Sequence, residues 1–256
     1  MIESFLLKVR RGETPFYKRL RNLAIAVRDI RLPTPGIVLP LIRLVFLTYH
    51  GMFRITQGFL SFFIREPMFR SRCVTFGKHV RVSRLPFIVG QPKIYVGNNV
   101  NFFGKVDIFS GRLFDEPTLI LKDRVDIGHG VGFLVNRQIT IEEDVNVASG
   151  VHFMDSDAHP RDTAERIADK APPLEEIKPV RICRNAWIGH NSFIMKGVTV
   201  GEGAIIGVNS VVVTDVPPYC VAMGNPARVV VKGLKPPPDS VYATAARAED
   251  PSTAAL

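Results

Sequence analysis

The sequence predicts an all-β solenoid, a parallel β-helix of about six coils, behind a basic amphipathic helical segment. Three observations carry this. Apolar residues recur every six positions, most clearly Ile182, Ile188, Ile194, Val200, Ile206 and Val212. Small residues follow several of them, including Gly189, Gly201 and Gly207. Wherever the period slips, it slips after a third repeat. A period of six fits neither the 3.6 of a helix nor the 2.0 of an unbroken strand. It fits a short strand, a corner and a repeat. Three sixes then close one triangular coil, and the coils stack.

Taken in order, the first stretch is basic. The net charge of +9 is concentrated there: residues 1–81 hold 15 Lys/Arg against 4 Asp/Glu, and residues 82–256 hold 18 against 20. This asymmetry points to an anionic surface as partner. Thr14-Pro15 predicts a helix start, with a Thr N-cap and Pro in the first turn, running to about Leu32 before Pro33. Within 36–66, Arg43, Arg54 and Arg65 lie eleven residues apart. Eleven helical steps of ~100° return to within roughly 20°, so the three share one stripe. His50, Gln57 and Ser61 fall near it, and Pro40 sits where it would kink the first turn. No uninterrupted run reaches the ~20 apolar residues of a simple transmembrane helix. The pattern predicts one or two helices lying in a membrane interface, arginines toward the headgroups. The alternative is a helix packed on the solenoid or in an oligomer interface. No nucleic-acid motif is present, and nucleic acid is not expected as a partner.

The N-terminus shows no basic region followed by an apolar one, so no secretory signal is read. Cys73, Cys183 and Cys220 have neither zinc spacing nor a disulfide framework, which suits a reducing compartment.

The six-residue phase begins after Arg72. The coils are Phe76/Val82/Ile88, Val96/Phe102/Ile108, Leu121/Ile127/Phe133, Ile141/Val147/Phe153, Ile182/Ile188/Ile194 and Val200/Ile206/Val212. Their starts are 20, 25, 20, 41 and 18 residues apart, where a bare coil needs 18. Every insertion therefore leaves the same corner. The largest, near Asp155–Pro179, adds 23 residues to a bare coil. Loops on one edge of a solenoid are where its chemistry usually lies. Three domains follow: helical residues 1–72, the solenoid 73–232, and a Pro/Ala-rich disordered tail 233–256. The long loop opens Asp155-Ser156-Asp157-Ala158-His159-Pro160. A His beside carboxylates suits a general base near neutral pH. An isolated loop His is otherwise an ordinary solvated residue.

These motifs resemble a known family. Asp155-Ser156-Asp157-Ala158-His159-Pro160, Ala186-Trp187-Ile188-Gly189-His190-Asn191, Lys196-Gly197-Val198-Thr199-Val200-Gly201, Gly207-Val208-Asn209-Ser210 and Gly224-Asn225-Pro226-Ala227-Arg228 are similar to the hexapeptide-repeat acyltransferases. The likeness is to the maltose/galactoside O-acetyltransferase branch and to sugar O-acetyltransferases of polysaccharide biosynthesis. It spans about residues 76–232. It implies a left-handed β-helix and a homotrimer with each site between two subunits. It implies acetyl-CoA as donor, a sugar or lipid-linked saccharide as acceptor, and direct transfer without metal. The general base would be His159, with Asp157 or Asp155 as its partner carboxylate. Asn136 would hold the acceptor, or else be a corner Asn in a left-handed conformation. The pantetheine arm would lie near His190, Gly207, Val208 and Thr214. Arg228, Lys196 and Lys232 would meet the CoA phosphates, the two lysines being otherwise surface charges. Trp187 reads as a corner packing residue.

The expected enzyme is thus a sugar O-acetyltransferase, cytoplasmic and peripheral at the inner membrane face through residues 1–72. Three alternatives remain: N-acetylation of an amino sugar, a γ-carbonic-anhydrase-like zinc enzyme using His129, His190, His152 or His159, and a non-catalytic scaffold.

Overall fold

The computed structural model describes residues 2–30, 35–111 and 113–236. The chain forms two compact units, residues 1–54 and 55–256.

In the first unit, α1 (Ile2–Arg11) and α2 (Pro15–Asp29) form a helical pair. α1 has no cap or breaker signal strong enough to announce it. At the start of α2, Thr14 Oγ1 accepts a hydrogen bond from the Tyr17 amide at 3.4 Å, as its N-cap role predicts. Phe5 packs edge-on against Tyr17, centroids 5.8 Å apart. A short 3₁₀ turn, Gly36–Val38, leads into α3 (Leu39–Leu60), which accepts Pro40 in its first turn without breaking. A π turn, Ser61–Arg65, and α4 (Glu66–Arg70) complete the helical run.

That run, Gly36–Arg70, has 35 residues and is long and apolar enough to cross a membrane by length and composition. The run is not uninterrupted, since Arg43, His50 and Arg54 lie within it, but the surrounding window remains apolar around them. The arginine stripe also changes at its last member. Arg65 donates to Gln57 Oε1 at 2.6 Å, confirming a shared face, and also to the Ser83 carbonyl of the first coil. It joins helix to solenoid rather than facing outward.

Residues 75–231 form three parallel sheets. The first holds strands at 75–76, 93–96, 118–121, 138–141, 180–182 and 199–200. The second holds 81–82, 101–102, 126–127, 146–147, 187–188 and 205–206. The third holds 87–89, 106–110, 131–135, 152–154, 193–194 and 211–212. The registers stack like on like. Phe76, Val96, Leu121, Ile141, Ile182 and Val200 are successive partners up the first sheet. Ile108, Phe133, Phe153, Ile194 and Val212 do the same in the third. The predicted inward residues are buried, with only Phe76 and Ile88 of the first coil half-buried. A second inward column, Val100, Val125, Val145, Ala186 and Ala204, lies two residues earlier. Strand 221–224 adds one further rung on the second sheet, and antiparallel strand 227–231 closes that end.

The corners explain the small and polar residues. Asn99, Asp144, Asn185, Asn191 and Asn209 all turn with φ between 55° and 59°. That left-handed region favours Asn, Asp and Gly. Gly77 answers a different need: a Cβ there would lie 2.2 Å from the Gly97 carbonyl oxygen of the next coil.

The open lower end of the core is covered by Phe69 of α4. Its ring is fully buried and meets Phe76 and Phe102 edge-on, at 6.0 and 5.2 Å. Ser61 Oγ fastens the same segment by donating to the Val82 carbonyl at 2.9 Å. Phe69→Ala should therefore cost about 3–5 kcal/mol, the range for emptying an aromatic core site. Denaturant unfolding of the full chain checks this, and a loss within about 0.5 kcal/mol would show that the ring is not a cap.

Candidate active site

All four long excursions leave the third sheet for the first, as the spacing predicts. The longest leaves after strand 152–154 and returns at 180–182, so the chain above residues 136–138 is displaced for a full loop. Asp155 fills the gap. Its buried carboxylate accepts from the amides of Asn136, Arg137 and Gln138, at 2.7–3.0 Å. A carboxylate thus replaces the missing backbone rung. Burial pushes the Asp155 carboxyl above its ordinary range, and the three amides pull against that shift. The loop also closes on itself here, the Lys178 amide donating to the Asp155 carbonyl at 2.9 Å.

Asp155 is therefore a clamp: its oxygens are engaged by the amides of Asn136, Arg137 and Gln138. Asn136 belongs to the same corner. It is 5% exposed, its amide is bound to Asp155, and its side-chain oxygen lies over Gly111, where a Cβ would approach to 1.9 Å. It is packed into the corner.

Beyond the clamp, Ser156 Oγ accepts from the Ala158 amide at 3.0 Å, and Ala158 turns with φ 66°. This tight turn presents His159 to solvent, with Pro160 buried behind it. Asp157 is not oriented toward His159 by any described bond. Its Oδ2 takes Lys196 Nζ at 2.6 Å. Lys196 also meets Glu176 at 3.2 Å, and Arg161 bridges the same two carboxylates at 3.8 and 3.4 Å. The Lys196 side chain is only 14% exposed. These four charges tie both arms of the loop to the next coil. Between them, Asp162 caps α5 (Thr163–Ile167) by accepting from the Glu165 amide at 2.9 Å. Lys196, one of the residues expected near CoA phosphate, here fastens the loop.

The other expected contacts lie on the last coils and are not brought to His159 by any described bond. His190 is exposed, and its carbonyl accepts from the Asn209 amide at 2.8 Å. Gly207 is already engaged: its amide donates to Ala222 at 2.8 Å and its carbonyl accepts from Ser192 Oγ at 2.9 Å. Val208, Thr214, Arg228 and Lys232 are exposed. Trp187 is 53% exposed on the outer side of the second sheet, between Asn146 and Ile205, so it is a strand residue and not corner packing. His129 Nδ1 accepts from the Lys105 amide at 3.2 Å. Among the described residues no three His, Cys, Asp or Glu side chains converge to hold a metal.

Comparison with known proteins finds a match within the solenoid. Residues 179–214 match the model described as bacterial transferase hexapeptide (six repeats). The match spans the last two coils, from strand 180–182 to strand 211–212. The solenoid is accordingly a left-handed β-helix. A protein of Staphylococcus aureus (strain COL), provisionally named an acetyltransferase, is 46% identical over 59 residues, 23% of this chain and 30% of its own. One from Saccharomyces cerevisiae, named in the same way, is 32% identical over 114 residues, 44% of this chain and 56% of its own. The chain thus spans about a third to a half of the length of these relatives. Among solved structures, a mutant of AntD, an N-acyltransferase from Bacillus cereus in complex with dTDP-4-amino-4,6-dideoxyglucose and coenzyme A, superposes with a TM-score of 0.53. It is 18% identical and covers 76% of this chain and 98% of its own, a likeness of fold.

Lys196→Met should leave Asp157 and Glu176 with only exposed Arg161, loosening the loop. Hydrogen exchange should speed up across 155–179 while the amides of strands 187–212 stay protected. Unchanged exchange in the loop would remove the fastening role.

Proposed function

We propose that the protein is an acetyl-CoA-dependent acyltransferase that acetylates a sugar hydroxyl in surface polysaccharide or glycolipid assembly, with His159 as general base. The observation that carries this reading is the construction of the long loop. A clamp at Asp155 and a charge lock at Lys196 both serve a segment whose turn presents one imidazole outward. The hexapeptide segment and the acetyltransferase names of the relatives support the class of reaction.

In the proposed step the acceptor oxygen attacks the thioester carbonyl carbon, and its proton passes to His159 Nε2 or Nδ1. The tetrahedral intermediate collapses with loss of the C–S bond. The departing thiolate recovers the proton from the imidazolium. The same base serves an amine, so amino sugars are the alternative acceptors. Arg228, Lys232, His190, Val208 and Thr214 remain exposed on the last coils and are available to the donor. A homotrimer fits the site: His159 faces away from its own chain, and Phe87, Phe109 and Phe193 stand exposed on the third sheet.

His159→Ala should lower kcat by about 10²–10⁴, the usual worth of a general base. Acetyl transfer from acetyl-CoA to a panel of hydroxyl and amino sugars checks it, with circular dichroism to confirm the fold. Turnover equal to wild type would refute the assignment.

The helical segment is proposed to hold the enzyme at the inner face of a membrane. The support is the apolar run Gly36–Arg70, whose most apolar window is unburied in the chain, together with the basic charge of the same segment. Phe46 and Phe53 are 58% and 49% exposed on α3. Phe46→Asp/Phe53→Asp should abolish flotation of the full chain with vesicles containing phosphatidylglycerol. Alkaline carbonate should release the wild type if it is peripheral. Flotation unchanged by the two aspartates would count against α3 as the anchor.

A further inference from the structure

We propose that the cleft between α1 and α2 is a binding site for an anionic phospholipid, holding its phosphate and the first part of one acyl chain. The cleft has a volume of about 580 Å³. It is large enough for a small ligand and is open at the surface. Its polar members are three arginines, Arg10, Arg21 and Arg28, and none of the described lining residues is acidic. Its apolar wall includes Leu6, Ala24 and Ile25. On α2, residues 21, 24, 25 and 28 share one face by helical spacing, which explains how charge and grease come to line the same cleft.

The second observation is at Arg21. Its Nε is buried and has no hydrogen-bond partner. Leaving such a donor unmet is costly, and more so on a charged group. Its guanidinium lies over Gly12, where a Cβ would sit 3.4 Å from Nη1. Arg28 also pairs with Asp29 at 3.0 Å, so the excess charge of the cleft falls mainly on Arg10 and Arg21. Several guanidiniums in an apolar cleft call for an anion, and the planar fork of Arg matches phosphate oxygens two at a time. The apolar wall asks for something the phosphate alone does not supply. An anionic amphiphile answers both demands.

The inference rests on the membrane reading above but concerns different residues, so the two fail separately. The test uses the full chain released from neutral detergent micelles in native mass spectrometry. Phosphatidic acid and phosphatidylcholine are supplied in equal amounts. One phosphatidic acid per chain should be retained, at least about tenfold over phosphatidylcholine, as loss of one charged hydrogen bond would imply. Arg10→Gln/Arg21→Gln should erase the preference. Ala24→Trp, which keeps every charge but fills the cleft, should erase retention. Inorganic phosphate at matching concentration should not displace the lipid. Equal retention of the two lipids, displacement by phosphate, or a preference surviving both variants would overturn the site. Should lipid selectivity fail while the wild type still floats with vesicles, only the cleft is lost. Should flotation fail as well, the membrane reading falls with it.

Discussion

Stacking in register is the constraint that the rest of the solenoid obeys. Its strands have two to five residues, too short to stand alone. Each satisfies its amides on the coil above. Along one edge Gly97 donates to Leu121, Lys122 to Ile141, Glu142 to Ile182 and Cys183 to Val200, all at 2.8–2.9 Å. An added residue inside a coil would break this ladder and turn the inward column outward. Extra chain must therefore leave at a corner and return to the same register. The corner is the place where the fold tolerates length.

Leaving has a cost, and Asp155 shows how it is met. Where the chain departs, the amides of 136–138 lose the strand that should cover them. Buried amides without partners are costly, and one carboxylate satisfies three of them. The charge of the carboxylate is itself opposed by burial, which is the larger influence on Asp155. The balance holds because the donors converge on it from one corner. Sequence reasoning reaches this residue as a possible partner of His159 but not as a clamp, because the amides that it binds lie 17 to 19 residues away.

The solenoid was legible because its signal is periodic. Eighteen inward positions follow from spacing alone, and the structure places each in register. The second inward column was missed because Ala186 and Ala204 break its aliphatic pattern, and the matching buried positions before Ile194 and Val212 are the serines Ser192 and Ser210. Ser192 and Ser210 are tolerated inside because each oxygen finds a partner, Ser192 on Gly207 and Ser210 on the Gly224 amide. The charge lock was illegible for a different reason. Lys196 lies 39 residues from Asp157 and 20 from Glu176, and no period relates them. Similarly, α1 has too little punctuation to be read, and the π turn at Ser61–Arg65, whose end residues bind the Val82 and Ser83 carbonyls, has no local signature in the sequence.

The two halves of the site differ in what holds them. The coils are held by apolar burial, complete from Val82 to Val212 apart from the half-buried Ile88. The loop that carries His159 is held by Asp155 at its root, by the ion pairs of Lys196, Asp157, Glu176 and Arg161 along its arms, and by the buried Pro160, Pro172 and Ile177. Its partly exposed ion pairs open more readily than a packed core. Changes in the loop can therefore alter its geometry without unfolding the solenoid beneath it. Asp157 of the same loop is committed to Lys196, so the turn at Ala158 and the ion pairs of the loop, not a bonded carboxylate, set where the exposed His159 stands.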